Sequence, residues 1–272
     1  MTNAHSMIYL PLFAAAFAIT SSVSHAEQRE VDVTITTDHG TAEVHHDIDV
    51  KKTEAGKAWT RDTEGSNSRG GSWFSRTIGE AVKSSSGAGT WSSHTDGTRK
   101  KANGESVDYQ VDRKGNWVSH GDGTIDRTST VNRSNDRGYE STVDKVGTVT
   151  KTENGRSYEG THTGSDNKGR TWTTNVQKES VRNGDGTASF NETYTTTKDN
   201  GTTVTRKVTG TASKTESGRS IDKTATVTRT DAEGNVIEKR DREARKAELN
   251  SDEARAKRKA EWQARQANRK AE

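Results

Sequence analysis

Beyond residue 26 the chain contains a single leucine, Leu249, and this shortage of bulky aliphatic side chains constrains its fold more than any motif does. Leucine, isoleucine, valine and phenylalanine supply 27 of those 246 residues, about 11%, and chains below roughly 20% struggle to bury a core. A thick globular core is therefore hard to build, and the mean hydropathy of −1.09 argues equally against a membrane-embedded body. In place of aliphatics stand 38 threonines, β-branched residues that suit a pleated, half-wetted surface. The net charge is only +3 and proline occurs once, at Pro11, so the composition is β-like rather than disorder-like.

Glycines after turn-forming residues mark the chain at Gly138, Gly155, Gly169, Gly186, Gly201, Gly218 and Gly234. Their mean spacing of about 16 residues fits one strand plus one turn per step. Asp96-Gly97, Asn103-Gly104, Asp122-Gly123, Asn154-Gly155, Asn183-Gly184, Asp185-Gly186 and Asn200-Gly201 are the dipeptides that tight hairpin turns favour. Between turns the chain alternates threonine with valine, charge or glycine, as in Thr224-Ala225-Thr226-Val227-Thr228. Both faces of such strands are mostly polar. The expected fold is mainly β: an elongated antiparallel hairpin-repeat meander, largely single-layered, with a charged C-terminal helical tail. The alternatives are a largely disordered chain, or an irregular sandwich or solenoid. Polar strands fix their register weakly, so slippage is a hazard.

Five regions follow. Residues 1–26 have the form of a signal peptide: a 13-residue apolar run from Met7 to Ile19, then Ser24-His25-Ala26, with cleavage expected between Ala26 and Glu27. Residues 27–50 read as an N-terminal hairpin turning at Asp38-His39-Gly40. Residues 51–99 are rich in serine and glycine, with Trp59, Trp73, Phe74 and Trp91 as isolated anchors and room for a short helix at Ile78 and Val82; they read as a linker. Residues 100–237 carry the repeat. Residues 238–272 turn to alanine, glutamate, lysine and arginine, a helix-forming tail with 12 basic and 8 acidic side chains. An exported chain without cysteine has no disulfide and no thiol chemistry.

The candidate sites are few. His39, His45, His46 and Asp47 lie close enough on one hairpin to suggest a metal site, although adjacent strand residues point to opposite faces. Asn183, Asp185 and Glu192 match part of a calcium loop whose first ligand position would be Val181. Rows of Thr-x-Thr would place hydroxyls about 6.7 Å apart along a strand and about 4.8 Å apart across strands, a lattice of the kind that some ice-binding proteins present. No nucleophile elbow, phosphate-binding loop or zinc-protease motif occurs, and no enzymatic activity or cofactor is expected.

The recurring openings Gly-Arg-Ser-Tyr158, Gly-Arg-Thr-Trp172 and Gly-Arg-Ser-Ile221, with Thr-Val-Thr strands between them, resemble exported Thr/Gly-rich β-repeat proteins of bacteria. The resemblance covers residues 103–237 and implies an exported β repeat without assigning a functional residue. The expected function is that of a periplasmic or secreted, non-enzymatic structural or surface-interaction protein. The basic tail would bind anionic envelope polymer or self-associate as a coiled coil. The alternative is a module that binds metal, polysaccharide or ice through threonine and carboxylate rows.

Overall fold

A computed structural model describes residues 27–37, 40–84, 86–215 and 218–249. They form fourteen strands: β1 (Glu27–Thr37), β2 (Gly40–Thr53), β3 (Gly56–Asn67), β4 (Ser72–Lys83), β5 (Ala88–Lys100), β6 (Ser106–Ser119), β7 (Thr124–Asn135), β8 (Glu140–Lys151), β9 (Gly155–Asp166), β10 (Thr171–Arg182), β11 (Thr187–Lys198), β12 (Thr203–Thr215), β13 (Gly218–Thr230) and β14 (Val236–Leu249). Each pairs antiparallel with its neighbours in sequence, giving one meander in a single layer. The two ends of the meander meet. Asp32–Thr37 of β1 pair with Ala244–Leu249 of β14, and the sheet closes into a barrel.

Fourteen strands about 4.8 Å apart and tilted by about 40° make a ring roughly 28 Å across, wider than facing side chains can fill. The barrel therefore has a lined wall rather than a solid core, which suits a chain short of leucine. The buried apolar residues among those described are small: Val33, Val44, Val111, Val131, Val143, Val176, Val208, Ala212 and Ala225. Register places all nine on one face, and because side chains crowd together on the concave side of a closed sheet, this more buried face is assigned to the inside.

Two kinds of cross-strand pair hold the wall in register. On the inner face an aromatic ring lies over a glycine of the adjacent strand: Trp73 opposite Gly65, Trp59 opposite Gly79, Trp117 opposite Gly89, Trp91 opposite Gly115, Trp172 opposite Gly164 and Phe190 opposite Gly210. A Cβ built on Gly65 would stand 2.1 Å from Trp73 Cζ2, so the ring occupies the space a side chain would take. Such a pair repairs the weakness of a mid-strand glycine by covering its backbone with a large apolar surface. On the outer face threonine hydroxyls donate to the residue directly opposite, Thr98 to Asp108 at 2.6 Å, Thr130 to Asp144 at 2.7 Å, Thr148 to Asp126 at 2.6 Å and Thr226 to Asp241 at 2.6 Å. Thr128, Thr142 and Thr161 do the same with Asn116, Asn132 and Asn175.

Four turns at one end of the barrel, after β3, β7, β9 and β13, share a pattern in which Asn67, Asn135, Asp166 or Asp231 accepts backbone N–H groups and the glycine three residues on takes positive φ. Asn135 and Gly138, with φ of 73°, are one example. Among the described residues only glycines have positive φ, so these turns are not the type that needs it at both central positions. Gly155 and Gly218, expected at turns, instead begin β9 and β13.

Two expectations are corrected. Residues 51–99 are not a linker: they run through β2, β3, β4 and β5, with Ile78 and Val82 both in β4, and their tryptophans are inner-wall platforms. Their glycines imitate a flexible segment until each is matched to its ring. Residues 238–249 are not helical but belong to β14, because β13 supplies backbone partners along their length and β1 adds them on the other side from Ala244 to Leu249, and pairing outweighs helix propensity. The remainder of the expected tail, 250–272, lies outside the described residues, as do residues 1–26 and the turn residues Asp38 and His39.

Candidate anion-binding inner wall

The sheet sorts charge between its faces. Across β3–β12, register assigns fifteen cationic and two acidic side chains to the inner face, and four cationic and eleven acidic ones to the outer face. The same strands turn nine aromatic rings inward and only Phe74 outward. An alternating strand delivers this separation whenever cations and aromatics share one parity and threonine and carboxylates share the other.

Several inner cations are poorly compensated. Arg61, Arg127, Arg133 and Lys145 make no ion pair among the described residues, and Arg61 Nε is buried without a hydrogen-bond partner. Burial lowers the pKa of Arg61, Arg113, Arg127 and Arg133. The Lys145 pKa is lowered by burial and then by the like charges of Arg133, Arg113 and Lys178. Arg113 donates to Thr95 Oγ1 at 3.0 Å, a neutral acceptor that leaves its charge in place.

One mixed group of charges, rings and acceptors on this wall spans β8 to β12. His162 stands opposite Lys145 in register, and its ring Nε2 lies 3.3 Å from the Tyr158 hydroxyl. Burial, Lys145 and Lys178 push its pKa down to about 4, so it is neutral at pH 7. Lys178 reaches Glu192 at 3.9 Å and sits 5.1 Å from the centre of the Tyr194 ring, with Arg206 at 5.9 Å from the same ring. Tyr194 donates to Glu192 at 2.6 Å. Burial and then Glu192 hold the Tyr194 hydroxyl well above the usual range. The arrangement offers positive charge, ring faces and a few acceptors, which is the equipment for holding an anion rather than for moving a proton.

The residues singled out from the sequence are dispersed by comparison. His45 faces outward and bonds Asp32 at 2.7 Å, whereas His46 faces inward and bonds Thr63 at 2.9 Å; Asp47 lies on the outer face with His45, and His39 is outside the described residues. Among the described residues no three His, Asp or Glu side chains gather as a metal site. Asp185 accepts from the Thr187 backbone and hydroxyl, while Glu192 points to the inner wall, so the calcium-loop residues are not brought together. Ala26 is outside the described residues and Glu27 opens β1. The outward threonines form one unbroken cross-strand row, Thr163, Thr173, Thr197, Thr203 and Thr230, but Asn175, Gln177 and Lys207 interrupt the neighbouring rows.

Sequence reasoning overlooked the inner cations, although a signal existed. Tyr109, Arg113 and Trp117 share one parity, as do Arg156 and Tyr158, so cations keep step with aromatics. No protein-family model and no curated protein matches the chain.

Proposed function

We propose that the chain is an exported, non-enzymatic binding barrel of the cell envelope or extracellular space, and that its inner wall holds an anionic polymer. The single supporting observation is the sorting of cations and rings to one face and of carboxylates and threonines to the other. Crowding unpaired, partly sheltered cations on one face weakens a fold, so an inner wall that keeps several of them is best explained by an anion that compensates them when bound. Most outward positions are hydroxyl, amide or carboxylate, and the outward apolar residues, among them Phe74, Ile78, Val82, Val118 and Val146, are interspersed with them rather than gathered in the band that a bilayer-crossing barrel needs, so this reading sets the outer wall against water. This reading moves the expected contact with envelope polymer from the basic tail to the barrel.

Retention of residues 27–272 on immobilised dextran sulfate at low salt tests the idea, with neutral dextran as control. Retention should fall steeply as salt rises and should weaken in a Lys145→Gln, Arg133→Gln double variant. Equal retention on both matrices would remove the proposal.

A further inference from the structure

We propose that the polymer is an acidic glycan, a sugar chain carrying carboxylates, held with its anionic groups between Lys145 and Lys178 and its sugar faces on the inner aromatic rings. The proposal rests on the anion-binding reading above and narrows its ligand to one chemical class.

Two features favour sugar over nucleic acid. The first is the presence of acceptors among the cations. Glu192 lies 3.9 Å from Lys178, the neutral ring of His162 stands beside Lys145 in register, and the Thr174 and Thr196 hydroxyls, 2.8 Å apart, adjoin His162. A phosphate backbone has no donor to give these groups. Sugar hydroxyls both donate and accept, so they satisfy acceptors and cations together. The second feature is the setting of the rings. A ring laid across a glycine keeps one face against the strand and turns the other toward the bore. Trp91 over Gly115 and Trp117 over Gly89 place two such platforms on adjacent strands. Flat apolar faces flanked by cations suit a pyranose whose C–H face is apolar and whose rim is polar and charged.

The test measures binding of residues 27–272 by quenching of tryptophan fluorescence. The probes are polygalacturonate, single-stranded oligothymidylate of equal charge, and neutral dextran. Polygalacturonate should bind at least about tenfold more tightly than oligothymidylate, a difference of about 1.4 kcal/mol, and dextran should not bind. Lys145→Gln should weaken both polyanions by at least about fivefold. Trp91→Leu should weaken polygalacturonate alone and leave its salt slope unchanged, since that slope counts cations rather than rings. Circular dichroism establishes that each variant is folded, and the comparison of probes on the unaltered chain needs no variant. Equal or tighter binding of oligothymidylate overturns the glycan assignment and leaves the anion-binding reading standing. Failure of both polyanions to bind overturns both.

Discussion

At the scale of the residue, the inner wall trades stability for charge. Lys145 has no carboxylate partner among the described residues and is surrounded by other cations, so Lys145→Met should stabilise the barrel by about 0.5–1 kcal/mol while reducing anion binding. Urea unfolding with and without dextran sulfate reads both effects, and a destabilised variant would contradict the account. Two histidines bend the pH profile in opposite directions. Burial, Lys145 and Lys178 hold His162 at about 4. Between there and its unfolded value near 6.5, the unfolded chain takes up a proton that the folded chain refuses. Stability should therefore decline as pH falls through that window, and His162→Asn should flatten the decline. His45 is raised, first by its hydrogen bond to Asp32, and the stability from that pair is complete below about 6.5 and lost as pH rises through the folded value. His45→Gln should remove the second loss and leave the first.

At the scale of the element, the strands are specified by pairs rather than by hydrophobic alternation. Gly65→Ala drives a Cβ into the Trp73 ring and should cost about 1–3 kcal/mol, part of which Trp73→Leu should return in the double variant. The Thr130–Asp144 pair should show a coupling of about 0.5 kcal/mol in a double-mutant cycle; zero coupling would mean that the outer hydroxyls decorate the sheet without fixing it. These pairs also define what could be read in advance. The glycine spacing and threonine alternation of residues 100–237 revealed a meander, because turn chemistry is local. Gly65, Gly79 and Gly89 disguised β3, β4 and β5 as linker, because a glycine's stability in a strand depends on a ring in the next strand, which no local pattern records. Register itself looked weak for polar strands, yet each Thr–Asp or Thr–Asn pair supplies a specific partner. The inner cations escaped notice because a charge every few residues along a strand looks like a solvated face until the sheet is known to curve.

At the scale of the whole molecule, every strand pairing joins neighbours in sequence except one. The β1–β14 seam rests on six residue pairs, whereas β1 and β2 share eleven. Truncation after Asn235 removes β14 and leaves β1 and β13 as open edges, which invite pairing with other chains. Such a variant should form larger species in size-exclusion chromatography while keeping its β spectrum; a monomer of unchanged stability would show that the seam contributes nothing. Because the remaining contacts are sequentially adjacent, a hairpin can be duplicated or deleted without disturbing the others, provided the last strand still reaches the first. The width of the bore then scales with the number of hairpins, and a lineage could retune the girth of what the tube admits by unequal recombination alone, with no substitution at the lining residues.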